Sequence, residues 1–130
     1  MKFTIPGRPV PAVRMTQRGK YVKKNAQRYL EYKTIVGWIA RKAGVKCLKG
    51  KVGVDITIYL AGGLDGDWDN YGKSITDALN KIAYKDDRQI SDGRVVKVLG
   101  VTKSEERAEV CIWEEGQIEQ KPKHPQLVPR

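Results

Sequence analysis

The sequence predicts an α+β fold, in which a small, mixed and mostly antiparallel sheet packs against two main helices. Two segments repeat their apolar residues at helical spacing, and four short segments have the composition or alternation of strands. Along the chain these segments follow the order β-loop-α-β-α-β-β. This order favours a small sheet with its helices on one side.

The N-terminal region predicts a short strand followed by a basic loop. Residues 2–5 are strand-like and end at Pro6, and residues 6–24 are interrupted by prolines and glycines. Basic side chains on an extended, proline-stiffened loop suit contacts with nucleic-acid phosphates, although a solvated loop could carry the same charges without a partner. The basic candidates in this loop are Arg8, Arg14, Arg18, Lys20, Lys23 and Lys24.

The segment from Asn25 to Ala43 predicts the first helix. Asn25 is expected to cap its start and Gly44 to end it. The apolar residues at helical spacing are Tyr29, Tyr32, Val36, Ile39, Ala40 and Ala43, and Leu30, Ile35 and Trp38 widen the apolar face. This wide face leaves two interpretations open: a well-buried core helix, or a helix that a partner subunit covers on a second side.

The remaining elements follow from alternation and helical spacing. Residues 51–60 alternate apolar and polar side chains and predict a strand, and about residues 70–83 predict the second helix. Residues 94–103 and 107–114 predict two further strands, joined by a polar turn at 104–106.

Length and composition predict one domain, over residues 1–115, with a disordered, proline-containing tail over residues 116–130. Cys47 and Cys111 lack metal-ligand spacing, so we expect reduced thiols. The N-terminus lacks the apolar segment of a secretory signal, and the sequence has no apolar run of membrane-spanning length. We therefore expect a cytoplasmic protein.

The charge of the chain indicates a polyanionic partner. The sequence carries 25 lysines and arginines against 15 aspartates and glutamates, a formal net charge of +10. Such an excess favours nucleic acid first and an anionic membrane surface second.

Within this basic chain, residues 67–87 form an acidic segment. Asp67 and Asp69 would project to the same side of an extended segment, where they could share a magnesium ion, which prefers carboxylate oxygens. Asp86 or Asp87 could complete the cage, with Lys73 one turn into the helix, near a bound phosphate. The alternative is structural, because Asp69 or Asn70 could cap the helix and an Asp-Asp pair is common in turns.

Two motifs in the chain resemble the RusA family of Holliday junction resolvases. The central motif is D-x-D-N-x-x-K-x-x-x-D-A-L, followed by D-D-x-Q-I-x-D and R-V-V-K, and the N-terminal motif is P-G-x-P-x-P-x-x-R. The resemblance covers about residues 1–114. It implies a dimeric, Mg²⁺-dependent endodeoxyribonuclease that cuts four-way DNA junctions symmetrically in recombination and repair, of a kind often encoded by prophages.

The resemblance also implies roles for individual residues. Asp67, Asp69 and Asp87 match the essential metal-binding carboxylates, and Lys73 matches the essential lysine. Asn70, Asp77 and Asp86 are supporting candidates, and Lys97 is a candidate for DNA contact or for structure. Two rival functions stay open: a branched-DNA-binding module with a structural acidic cluster, and a metal nuclease that acts on flaps or RNA.

Overall fold

The computed structural model describes residues 1–14, 24–63 and 66–116, and it confirms the α+β fold. The elements in chain order are β1 (Lys2–Pro6), α1 (Lys24–Lys42), β2 (Val52–Leu60), α2 (Trp68–Ala78), β3 (Ile90–Leu99) and β4 (Arg107–Glu114). In the described part of the chain, no helix is both long and apolar enough to cross a membrane. Arg18, Lys20, Lys23 and the tail from residue 117 onward lie outside the described residues.

The four strands form one mixed sheet in the order β1-β4-β2-β3. Strand β4 pairs antiparallel with both β1 and β2, whereas β2 and β3 run parallel. Parallel neighbours require a crossover connection, and α2 forms this connection between β2 and β3. The parallel pair therefore fixes the position of α2, which carries the first part of the predicted acidic segment.

The core lies between the sheet and the two helices. Alternate residues of β2, from Val52 to Leu60, are almost completely buried, because this face of the strand packs against the two helices. They pack against Val36 of α1 and against Tyr71 and Ile75 of α2 in one continuous cluster. The predicted inward face of the 51–60 strand is thus confirmed.

The predicted end of helix α1 at Gly44 is confirmed, but its predicted start is not. Gly44 has a φ of +81° and its N–H donates to the Arg41 carbonyl, while the Val45 N–H donates to the Ala40 carbonyl. These two bonds form a Schellman motif, which favours glycine at this position. The prediction that Asn25 caps the start is wrong, because the helix begins at Lys24 and Asn25 lies inside its first turn.

The wide apolar face of α1 divides into two sides. Its buried side contains Tyr29, Tyr32, Val36 and Ala40. Ile35 and Trp38 are instead 49% and 73% exposed, so the described part of the fold leaves both side chains largely open to solvent.

Helix α2 is shorter and begins earlier than the predicted 70–83 segment. It spans Trp68–Ala78, and the chain then turns back through Lys81, whose φ is +68°. Tyr84 is completely buried beneath this turn, and its hydroxyl donates to the Thr76 carbonyl at 2.6 Å. The apolar residues after Ala78 therefore pack in a compact turn rather than in a further helical turn.

Strand β3 is displaced from its predicted bounds of 94–103. It spans Ile90–Leu99, because its parallel pairing with β2 begins at Val52 and Ile90. The polar turn before β4 is a 3₁₀ turn over Lys103–Glu105, which Thr102 and Glu105 close by mutual hydrogen bonds.

Candidate active site

The polar face of α2 carries most of the predicted site. With 3.6 residues per turn, Asp69, Lys73, Asp77 and Asn70 project within an arc of about 100°. Asp69 and Lys73 are exposed, and Asn70 and Asp77 are half-buried. The opposite side of the helix, with Tyr71 and Ile75, is buried in the core.

Helix α2 lies close to strand β3 at its N-terminal end. A Cβ atom at Gly72 would lie 2.6 Å from Val95 Cγ2, so a side chain at this position would push the helix away from the sheet. One turn earlier, the Trp68 indole N–H donates a hydrogen bond to the Val95 carbonyl. Both contacts hold the N-terminal half of α2, where the candidate residues begin, against β3.

The residue before Asp67 is held from two sides. The Lys97 ammonium donates to the Gly66 carbonyl at 3.2 Å, and the Gly66 N–H donates to the Tyr71 hydroxyl at 2.9 Å. Lys97 therefore lies beneath the site and supports the backbone that presents Asp67. Its predicted contact with DNA is not tested by this arrangement.

The prediction that Asp67 and Asp69 lie together in an extended segment is wrong. Asp67 occupies the N-cap of α2 with extended backbone angles, and Asp69 lies in the first helical turn. The prediction that Asp69 or Asn70 caps the helix is also wrong, because Trp68 starts the helix earlier. The side chain of Asp67 makes no capping hydrogen bond, so capping does not engage its carboxylate.

Asp77 connects the two helices. The Tyr29 hydroxyl of α1 donates to Asp77 Oδ2 at 2.9 Å. Burial raises the pKa of Tyr29, and this hydrogen bond and the negative charge of Asp77 raise it further. Asp77 thus has a structural contact, which agrees with a supporting role.

Asp86 and Asp87 differ in what they contact. Asp86 caps a 3₁₀ turn over Asp87–Gln89, and its Oδ1 accepts the Arg88 N–H at 2.8 Å. This bond and the Arg88 guanidinium lower the pKa of Asp86. The pKa of Asp87 is raised, first by its hydrogen bond with Asp86, then by burial and by the negative charges of Asp86 and Asp77.

The turn after α2 folds back along the helix, since the hydroxyl of Tyr84, three residues before Asp87, donates to the Thr76 carbonyl at 2.6 Å. Burial raises the pKa of the Tyr84 phenol, and the negative charges of Asp87 and Asp77 raise it further. The structure therefore brings the end of the acidic segment back beside the helix. Among residues 1–14, 24–63 and 66–116, no three acidic, histidine or cysteine side chains converge as a ready-made metal site.

A groove runs between the N-terminal loop and the first turns of α2. It has a volume of about 620 Å³ and is lined by Ala12, Val13, Arg14, Asn70 and Lys73. The Ala12 N–H donates to the Asn70 carbonyl at 2.9 Å, which ties the loop to the helix. Two positive side chains, from different parts of the chain, therefore line one groove at the N-terminal end of α2.

The other basic candidates occupy different positions. Arg8 donates to Glu106 at 2.5 Å and to the Gly62 carbonyl at 2.9 Å, so its guanidinium is held by the fold, and its contact with DNA stays a prediction. Lys24 is exposed at the start of α1. Its contact with DNA stays a prediction.

Gln89 is a supporting residue that sequence reasoning missed. Its side-chain amide donates to the Leu48 and Gly50 carbonyls, and its oxygen accepts the Lys85 and Asp86 N–H groups. It thereby clamps the turn that carries Asp87 to the segment before β2. The signal was present, because an aspartate followed three residues later by glutamine is a capping-box pattern.

Mutation of the two neighbouring aspartates, Asp86 and Asp87, should change the Tm by different amounts. Asp86→Ala removes the cap of the 3₁₀ turn and should lower the Tm by a few degrees. Asp87→Ala removes a negative charge beside Asp86 and Asp77 and should leave the Tm unchanged or slightly higher. Thermal unfolding at neutral pH measures both effects, and a larger loss for Asp87→Ala would reverse the structural assignment.

This α+β domain has the features of a nuclease. Its chain is strongly basic, and carboxylates, a lysine and an arginine lie along one helix and its groove. The sequence model of a family described as Endodeoxyribonuclease RusA matches residues 6–112. The chain therefore belongs to the RusA endodeoxyribonuclease family, as its motifs predicted. It is also similar to "Uncharacterized protein YqaN" of Bacillus subtilis (strain 168), with 29% identity over 139 aligned positions that cover 88% of this chain and 96% of that relative.

Proposed function

We propose that this protein is a homodimeric, Mg²⁺-dependent crossover junction endodeoxyribonuclease, which resolves Holliday junctions by paired symmetric nicks. The observation that carries the proposal is the groove that Arg14, Asn70 and Lys73 line, along the helix that has Asp67 at its N-cap and Asp69 in its first turn. Membership of the RusA endodeoxyribonuclease family supports DNA as the substrate.

The carboxylates proposed to hold the metal are Asp67, Asp69 and Asp87. Their chemistry fits, because Mg²⁺ prefers hard oxygen ligands and accepts phosphate oxygens in its remaining positions. All three residues are exposed. The Asp67 side chain makes no capping hydrogen bond to α2. A bound divalent ion would activate a water molecule and neutralise the leaving oxygen of the phosphodiester.

The chain's own groups would bind and orient the scissile phosphate. The first turn of α2 offers backbone N–H groups, which favour a phosphate at a helix N-terminus. Lys73 lies one turn further and would stabilise the negative charge that develops on the phosphate in the transition state. Arg14, across the groove, would hold the DNA backbone in place.

Two identical subunits suit a nearly symmetric junction. A twofold axis places the same groups on two opposing strands, so each subunit would cut one strand. Paired cuts would then be completed within one binding event. A junction extruded from a supercoiled cruciform plasmid would be converted directly to linear product.

The decisive experiment is incubation with a synthetic four-way junction, with and without Mg²⁺, followed by mapping of the cuts. We expect metal-dependent nicks at symmetric positions on two opposing strands. Flap, duplex and RNA substrates of equal length serve as controls. Binding without cleavage would identify a junction-binding module, and preferred cleavage of flaps or RNA would identify a different nuclease.

The affinity for a junction should fall steeply with salt, because bound lysines and arginines displace condensed counterions. Replacing Arg14, Arg18 and Lys20 together by alanine should reduce the slope of log K against log salt by about 2–3. Lys2→Ala, on the sheet face away from the helices, is the control and should leave the slope unchanged. Fluorescence anisotropy at several salt concentrations makes the comparison, and an unchanged slope for the triple variant would exclude the loop from the DNA contact.

A further inference from the structure

The outward side of α1 presents an ordered stripe of four residues that the fold leaves exposed. Glu31, Ile35, Trp38 and Lys42 follow one another at spacings of four, three and four residues, so they lie along one line of the helix. Ile35 is 49% exposed and Trp38 is 73% exposed. We call these four residues the α1 stripe.

The charges of the α1 stripe are self-complementary. Glu31 is the single acidic residue of α1, and Lys42 is the last residue of the helix. Counted in residues along the helix, the point midway between Val36 and Gly37 is as far from Ile35 as from Trp38. It is likewise as far from Glu31 as from Lys42. A second copy of the helix, turned by 180° about that midpoint, would therefore place opposite charges at both ends and apolar side chains in the middle.

We propose that the α1 stripe is the contact between two copies of this chain, with the two α1 helices antiparallel. Ile35 packs against the partner's Trp38, and Glu31 faces the partner's Lys42. The twofold axis repeats both contacts, as in any isologous interface. This inference rests on the proposed function only in taking the nuclease to be a dimer, and it adds which surface forms that dimer and in which register.

A groove beside the stripe supports the same partner. It has a volume of about 240 Å³ and is lined by the N-terminal residues 6–8 and 10 together with Arg28, Glu31, Tyr32 and Ile35. In the antiparallel register, the partner's Trp38 lies over Ile35 and can enter this groove. Aromatic side chains that fill a pocket on the partner commonly contribute most of an interface's binding energy.

The β3 edge of the sheet is a weaker candidate for the same contact. Strand β3 is an edge strand and carries the exposed Val96 and Leu99. The Trp68 indole already donates to the Val95 carbonyl on this strand. A second strand could therefore not form a continuous ladder there, whereas the α1 stripe has no such obstruction among the described residues.

Charge reversal tests the register. Glu31→Lys and Lys42→Glu each replace an attraction by a repulsion twice per dimer, so each should raise the dimer dissociation constant about tenfold. The double variant exchanges the two charges and should return the constant to near the wild-type value. Sedimentation velocity over a concentration series gives the constants, and a double variant that is as weak as the single variants would overturn the register.

The apolar centre is tested by Trp38→Ala, with Leu99→Ala as the matched control. Both side chains are exposed, so neither change should alter the folded structure, which circular dichroism checks. Trp38→Ala should weaken the dimer by about a hundredfold, whereas Leu99→Ala should leave it unchanged. A dimer that resists Trp38→Ala, or that is weakened by Leu99→Ala instead, would overturn the proposed contact.

Disulfide trapping provides a readout that needs no nuclease activity. In a Cys47→Ser background, Glu31→Cys and Lys42→Cys proteins are mixed and oxidised. The mixture should form a covalent heterodimer, and neither protein alone should cross-link. A monomeric wild type, or cross-links within one variant alone, would overturn the inference. A trapped dimer without junction cleavage would contradict the proposed function and leave the interface standing.

Discussion

Asp69→Asn should reduce junction cleavage to below about 1% of the wild-type rate while leaving the junction affinity unchanged or higher. The substitution keeps the shape of the side chain but removes the negative charge that is proposed to bind the metal. Asp69 is exposed in the first turn of α2, so its amide should not disturb the core. Removing the charge also reduces repulsion of the DNA phosphates, which explains why binding should not weaken.

The measurement is a single-turnover cleavage rate at saturating enzyme, alongside the affinity measured without metal. Glu105→Gln is the matched control, since it also removes one carboxylate charge and keeps the capping box of the 3₁₀ turn. The control should cut at the wild-type rate. If Asp69→Asn cuts equally fast, Asp69 is not part of the metal site.

Much of the fold could be predicted because the signals are local. The Schellman end of α1 at Gly44 follows from one glycine after a run of helical spacing. The buried face of β2 follows from the strict alternation of apolar and polar residues. The order of all six main elements follows from where the sequence changes between strand alternation and helical spacing.

The errors at the element boundaries come from contacts between distant residues. The early start of α2 depends on Trp68, whose indole reaches the Val95 carbonyl 27 residues away. The start of β3 depends on its parallel pairing with β2, which alternation within β3 alone does not reveal. The end of α2 depends on Tyr84, which binds back to Thr76 and replaces a further helical turn.

The candidate site shows the same division between local and distant causes. Helical spacing was enough to place Lys73 and Asp77 on one polar face. The pairing of Asp77 with Tyr29 depends on how α1 packs against α2, so the spacing of either helix alone does not show it. The different contacts of Asp86 and Asp87 likewise depend on Gln89, which clamps their turn to residues about forty positions earlier.

Lys73→Ala should lower the single-turnover cleavage rate by about a hundredfold or more and weaken junction binding by less than about threefold. Lys73 is one of many positive groups on a chain of net charge +10, so losing it removes a small share of the phosphate contacts. Lys73 lines the groove with Asn70 and Arg14, where the scissile phosphate is proposed to bind. An interaction that strengthens in the transition state affects the rate more than the affinity.

Two further variants separate transition-state stabilisation from simple phosphate binding. Lys85→Ala removes an exposed lysine from the turn after α2 and should change neither the rate nor the affinity by more than about threefold. Lys73→Arg keeps the positive charge and should recover part of the lost rate, but not all of it, because the guanidinium differs from the ammonium in shape and hydration. If Lys73→Ala lowers the rate and the affinity by the same factor, Lys73 binds substrate and transition state equally, and the stabilising group must be sought elsewhere in the groove, first at Arg14.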